Sequence, residues 1–233
     1  LMKALILAGG EGRRLRPLAG DVPKCLLQIQ GRPFVEHQIE LLKSQGIQEF
    51  ILCVGLGAQA VKEALGDGSA LGVSVFYSSE DAPLGTAGAI RNASSLIDED
   101  AFLCMNGDTL VEFSLAEMEQ NHQGVRALAT VLSREVEDAT GRGTLEVGLR
   151  GEILSFEEKT RNVSPALINC GVYLMERAIL QHIPSGTTVS LEHEVFPKLV
   201  SSGHRLFAFI TNGAFVDIGT PDEYLRIREK GWR

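Results

Sequence analysis

Apolar positions along the chain fall into short continuous runs that alternate with segments of helical period. KALILA (3–8), FILCV (50–54), VSVFY (73–77) and AFLCM (101–105) read as strands buried on both faces, since few of their positions are polar. Between them, PFVEHQIELLKSQ (33–45) reads as an amphipathic helix stopped by Gly46, AQAVKEAL (58–65) as a helix closed by Gly66, and TAGAIRNAS (86–94) as the core of a third. Strands that alternate with helices need crossover connections, which predicts a mostly parallel α/β sheet built from right-handed units.

The pattern loosens in the second half. RALATVL (126–132), GTLEV (143–147) and EILSFEE (152–158) have the length and alternation of antiparallel strands, punctuated by Gly141, Gly143 and Gly151. Helices are expected near 176–182 and 191–202, a strand at RLFAFI (205–210), and a closing helix from about Pro221 with Thr220 as its N-cap. No repeat, low-complexity tract or linker interrupts the chain, so one domain is expected over 2–233; Leu1, ahead of Met2, is left out of the fold reading. The fold class expected is α/β, a Rossmann-like mixed, mostly parallel sheet flanked by helices.

Composition narrows the function classes. The 233 residues are 44% hydrophobic and 22% charged, which suits a globular domain and argues against disorder. No apolar run approaches the ~18–20 residues of a membrane-spanning helix. A net charge of −8 argues against nonspecific nucleic-acid binding, which needs a basic surface. Cys25, Cys53, Cys104 and Cys170 form no CxxC pair and no zinc-ligand spacing, and Cys53 and Cys104 sit inside apolar runs. Reduced thiols and a cytoplasmic protein are therefore expected. The N-terminal apolar run supports this, since it is short and is followed, not preceded, by the basic cluster Arg13, Arg14 and Arg16.

Three segments carry candidate chemistry. In LAGGEGRRLRPL (7–18), Gly9, Gly10 and Gly12 let backbone N–H groups approach a ligand, with Arg13 adjoining and Lys24 soon after. Backbone donors beside cations suit a polyphosphate. The loop is no P-loop, lacking GxxxxGK[ST], and Leu15 stands where a dinucleotide fingerprint needs its third glycine. A second glycine turn, Gly55-Leu-Gly57-Ala-Gln-Ala60, follows a strand, opens a helix and has Glu80 some twenty residues on, so an NAD(P)-dependent oxidoreductase stays open as an alternative. Asp108, just past an apolar strand, and Asp217, between apolar residues ahead of a helix, are acids that need a partner or a metal, and two such carboxylates can share one Mg²⁺.

These segments, with PKCLL (23–27), EDAPLGTAGAI (80–90), NGDTL (106–110), FEEK (156–159), NCGVY (169–173) and VDIGTP (216–221), give the chain a resemblance to the sugar-1-phosphate nucleotidyltransferases from residue 3 to about 227. GRPFVEHQI, YSSEDAPLGTAGAI and SLEHEVFPKL bring it nearest the short branch with D-glycero-D-manno-heptose-1-phosphate and mannose-1-phosphate guanylyltransferases. The resemblance implies a Mg²⁺-dependent condensation of a nucleoside triphosphate with a sugar 1-phosphate, releasing pyrophosphate. It implies a nucleotide-binding half over about 2–112 and a sugar-phosphate-binding half over about 113–233.

Residue roles follow from the same resemblance. Leu7, Ala8, Gly9, Gly10, Gly12, Gly85 and Thr86 would line the nucleotide site, with Arg13 on the leaving pyrophosphate and Lys24 near the α-phosphate. Asp108 and Asp217 would hold Mg²⁺. Lys159 would take the sugar phosphate, Glu158 the sugar hydroxyls, and Gly143 with the 169–173 turn, including Asn169, would line the sugar pocket. A sugar 1-phosphate, with a second pKa near ~6, is already an anionic nucleophile and needs no general base. Guanine shows two donors on its pairing edge, which an acceptor-only carboxylate can receive. Glu80 or Asp81 stands at the place for base contacts, Glu80 being favoured as the guanine reader, with an exposed acidic pair as the alternative. Uridylyl or thymidylyl transfer, and a catalytically idle nucleotide-binding relative, also remain open, as does a homodimer. LAGDVPK departs from the family's PLT…PK, and the chain closes soon after Asp217, from which an unregulated synthetic enzyme is expected.

Overall fold

The computed structural model describes residues 2–10, 12, 14–157 and 164–232. The chain opens with β1 (Lys3–Leu7), whose Ala4, Leu5 and Ile6 have no exposed surface. After the short turn of helix α1 (Arg16–Ala19) and the small hairpin β2 (Gln28–Ile29) and β3 (Arg32–Pro33) come α2 (Phe34–Lys43), β4 (Glu49–Val54), α3 (Ala58–Leu65), β5 (Ser74–Ser79), α4 (Gly85–Asn92) and β6 (Ala101–Asn106). β1, α2, β4, α3, β5, α4 and β6 lie where the periodicity predicts them, to within a residue or two, whereas α1, β2 and β3 are too short to leave a periodic signal. Next are β7 (Thr109–Val111), α5 (Leu115–Val125), β8 (Ala129–Val136), β9 (Thr144–Val147), β10 (Ile153–Glu157) and β11 (Ala166–Glu176). The chain then runs through α6 (Phe196–Ser201), β12 (Leu206–Ile210), β13 (Phe215–Asp217) and α7 (Pro221–Lys230).

The main sheet runs β10-β9-β11-β6-β1-β4-β5, with β8 beside β11 and β12 beside β8. Its parallel core is β6-β1-β4-β5, in which Leu5 faces Ile51 on one side and Cys104 on the other. The switch to antiparallel pairing comes at β11, which runs against β6, β8 and β9. One face packs Leu5, Cys53 and Cys104 against Ile90, Phe196 and Leu199. The other packs Ile6, Leu52 and Met105 against Val35, Ile39, Val61 and Met118. All four cysteines are free and buried.

Several expectations are corrected. The 169–173 segment is no turn: it lies inside the 11-residue strand β11, where the register to β8 shifts between Asn169 and Tyr173 and Gly171 takes φ +70°. A β-bulge needs one residue in an unusual conformation, and glycine supplies it without strain. The 176–182 helix is a 3-10 turn (Arg177–His182), and the 191–202 helix starts as a π turn (Leu191–Val195) before α6. Helix α5 went unforeseen because its apolar stripe is weak, although Ser114 and Glu117 carry the capping pattern that marks its start, with Ser114 Oγ accepting from Glu117 N at 3.3 Å. The closing helix begins as expected, Thr220 Oγ1 accepting from Glu223 N.

Candidate active site

Residues at and just past the C-terminal ends of β1, β5 and β6 line one cleft, the place where open α/β sheets bind ligands. A cavity of about 390 Å³ opens there, lined by Leu7, Ala8, Gly9, Gly10, Gly12, Lys24, Glu80, Gly85, Thr86 and Asp108, all expected from the sequence. Arg14, Cys25, Asn106, Gly107 and Gly219 line it as well. Arg13, Glu158 and Lys159 lie outside the described residues.

The glycine loop is held close to the sheet but keeps donors to spare. Ala8 N donates to Cys53 O at 2.8 Å, whereas among the described residues the amides of Gly9, Gly10 and Gly12 donate to no protein acceptor. Gly107 N donates to Leu7 O at 3.0 Å, and a Cβ at Gly107 would lie 2.5 Å from that same oxygen. Glycine is thus required where the end of β6 meets the loop after β1.

Two aspartates are brought together by a two-stranded ribbon, β7 against β13, with Thr109 opposite Asp217. Ile218 N closes the pair by donating to Asp108 O at 2.9 Å. Lys24 Nζ lies 2.5 Å from Asp108 Oδ2. Asp217 is not among the cavity's lining residues, though its neighbours Asp108 and Gly219 are. The protein packed around its carboxyl pushes its pKa up, and the neighbouring Asp108 charge adds to that push, while Lys24, the Gly219 N–H at 2.6 Å and Arg142 oppose it. Among the described residues no cluster of three or more His, Cys, Asp and Glu exists, so a zinc-type cage is absent there. An all-oxygen pair of carboxylates is instead the donor set that suits Mg²⁺, which takes one or two carboxylates together with phosphate oxygens and water.

Glu80 lines the cavity where it packs on the glycine loop. Its Oε2 accepts from Leu84 N at 3.0 Å, and its Oε1 covers Gly9, leaving no room for a Cβ there. Burial raises its pKa, which the Leu84 N–H opposes. The Gly55 turn packs on this assembly: a Cβ at Gly55 would meet Gly9 O at 3.1 Å and Glu80 Oε1 at 3.3 Å. That packing accounts for the second glycine motif without any dinucleotide.

Thr86 and Asn169 serve the architecture with the groups they carry. Thr86 Oγ1 accepts from Leu191 N and donates to Glu192 Oε2, both at 2.7 Å. Tyr173 OH donates to Glu192 Oε1 at 2.8 Å and accepts from Asn169 Nδ2 at 2.9 Å, while Asn169 Oδ1 accepts from Gly171 N. Gly143 O accepts from Asn169 N at 2.9 Å. Neither Gly143 nor Asn169 is among the cavity's lining residues; they shape the bulge beside it. Sequence reading missed Glu192, Arg142, Gln38 and Asn106. The guanidinium of Arg142 lies 5.3 Å over the ring of Phe215, two residues before Asp217. A cation between two glycines just ahead of a strand is a usable signal for Arg142; nothing in the pattern marks Gln38, a polar residue on an apolar helix face.

The sequence model described as "Nucleotidyl transferase" matches residues 3–231. A mannose-1-phosphate guanylyltransferase of Mycobacterium tuberculosis is 35% identical over 224 residues, covering 96% of this chain and 62% of that protein. A UTP–glucose-1-phosphate uridylyltransferase of Synechocystis is 33% identical over 244 residues, covering 97% and 63%. The chain therefore spans less than two thirds of the length of these curated relatives. The crystal structure of HddC from Yersinia pseudotuberculosis superposes with a TM-score of 0.88 at 31% identity over 99% of both chains, and its complex with GMP-PN with a TM-score of 0.87.

Proposed function

This chain belongs to the nucleotidyl transferase family, and from that premise we propose that it condenses a nucleoside triphosphate, GTP in the first instance, with mannose or manno-heptose 1-phosphate to give an NDP-sugar and pyrophosphate. The observation that carries this reading is the pairing of Lys24 with Asp108 at 2.5 Å, beside Asp217 and under a glycine loop with unused amides. The triphosphate lies along Gly9, Gly10 and Gly12, whose N–H groups take phosphate oxygens, with Lys24 and Arg14 neutralising charge. One phosphate oxygen of the sugar 1-phosphate attacks the α-phosphorus; the bond to the β-phosphate oxygen breaks in line, and pyrophosphate leaves with the electron pair. The nucleophile is already ionised, so the protein's part is alignment and electrostatics.

Asp108 and Asp217 would hold Mg²⁺, which when bound supplies positive charge against the phosphates. Arg13 and Lys159 are proposed on the leaving pyrophosphate and the incoming phosphate, and Glu158 on the sugar hydroxyls. Gly143 and Asn169 shape the sugar side through the bulge. Guanine is favoured by the Glu80 carboxylate on the cavity wall and by the guanylyltransferases among the relatives. Four free, buried thiols suit a cytoplasmic enzyme. The test is pyrophosphate release with Mg²⁺, screened over four nucleoside triphosphates and a panel of sugar 1-phosphates. Release with GTP and a manno-configured sugar supports the reading; release with UTP or dTTP alone moves the base assignment, and none with any pair refutes transfer.

A further inference from the structure

Gln38 is a polar side chain with no exposed surface, on the face of α2 that buries Val35, Ile39 and Leu42. From there it reaches across to the turn that carries Asp108. Its Nε2 donates to Asn106 O at 2.9 Å and to Thr109 O at 2.6 Å, the carbonyls on either side of the two-residue turn Gly107-Asp108. Both partners are acceptors, so the amide can face only one way, and its Oε1 is left buried without a partner among the described residues. Buried polar groups are ordinarily satisfied. A core that keeps such an oxygen does so where the other end of the side chain has a use.

The rest of the turn is tied by backbone. Gly107 N bonds to Leu7 O, fixing the turn to the glycine loop, and Asp108 O accepts from Ile218 N, fixing it to the segment after Asp217. The carbonyls of residues 106 and 109 remain, and Gln38 takes both. We infer that Gln38 is a positioning residue, a clamp from α2 that sets where the Asp108 carboxylate stands relative to Lys24 and Asp217. It touches no substrate. This inference rests on the proposed function for its kinetic consequence, and on geometry alone for the clamp itself.

The experiment uses the full chain as Gln38→Met, which keeps the length of the side chain and removes both donors, with Gln38→Glu as the isosteric second variant. Amide hydrogen exchange read on 107–110 is expected to speed up by at least ~10-fold while β1 and β4 keep their protection. Turnover is expected to fall ~10–100-fold, with the KM for sugar 1-phosphate within ~3-fold and the half-saturating Mg²⁺ concentration raised, the scale of losing an outer-shell partner of a ligand. Mn²⁺ affinity measured by electron paramagnetic resonance with GTP present should weaken in parallel. Unchanged exchange at the turn overturns the clamp. A loosened turn with unchanged turnover and Mn²⁺ affinity overturns the positioning role, as does failure of both variants to fold. If the wild type releases no pyrophosphate from any pair, the functional reading fails, while exchange and Mn²⁺ affinity still decide on Gln38.

Discussion

Lys24 Nζ and Asp108 Oδ2 stand 2.5 Å apart, with the lysine side chain 15% exposed and the aspartate 32%. A 3-10 turn, Lys24–Leu26, presents the cation, and the end of β6 presents the acid. Stability gives little reason for such a position, since an ion pair largely withdrawn from water loses to desolvation much of what it gains from attraction. The pair places a cation and an anion on the wall of the same cavity as the glycine loop, where a polyphosphate and its counter-ion would both find partners.

Asp108→Asn is therefore expected to lower turnover by at least ~100-fold, the scale of losing one preorganised electrostatic group. Asp217→Asn should do the same, and both should leave the melting temperature within a few degrees. Mg²⁺-dependent pyrophosphate release measures the first, and thermal denaturation the second. Near-normal release from either variant would remove the metal assignment.

Glu80→Gln tests the base. The amide presents one acceptor where the carboxylate presents two, so GTP preference over UTP should drop by ~10-fold or more, the scale of one good bidentate contact. The ratio of kcat/KM values for the two nucleotides is the readout. Full retention of GTP preference would reduce Glu80 to a brace for Leu84 and Gly9.

Gly107→Ala probes the close approach of β6 to the glycine loop. Its Cβ would sit 2.5 Å from Leu7 O, which is backbone and cannot swing aside. Overpacking of this kind costs about 1–3 kcal/mol, to be read from urea unfolding. Activity should fall further than stability predicts, because the displaced neighbour is the glycine loop that lines the cleft.

The fold was legible where the apolar runs are continuous. β1, β4 and β6 are buried on both faces, so their sequences could hardly be anything else, and Gly46 and Gly66 mark helix ends. Asp108 and the glycine loop were legible because strand ends and glycine clusters carry their own physical signature. What stayed hidden depends on contacts far apart in sequence. Gln38 meets Asn106 and Thr109 across 68 and 71 residues, and Glu192 meets Thr86 across 106. Asn169 illustrates the limit most clearly: its segment has the composition of a turn, and only pairing with β6, β8 and β9 makes it a bulged strand.

The same long-range polar contacts give the protein a pH dependence away from the cleft. His122 is buried on α5, its Nδ1 2.7 Å from Thr130 Oγ1 and its Nε2 3.1 Å from Glu176 Oε1. Burial pulls its pKa below the ordinary 6.5, outweighing the pull of Glu176 in the other direction. The folded state therefore binds this proton less readily than the unfolded chain. Stability from His122 is complete above 6.5 and is lost progressively as pH falls through 6.5 towards the folded value, because only the unfolded chain takes up the proton there. Below the folded value both states are protonated and no further loss comes from this residue. Urea midpoints of the wild type should thus fall between about pH 7.5 and about pH 5.5, and those of His122→Gln should fall less over the same interval. The variant will start lower at the upper pH, since Glu176 and Thr130 lose an imidazole partner that spans both. Parallel slopes for the two proteins would mean that His122 titrates alike in both states, and that Glu176 fully offsets the burial.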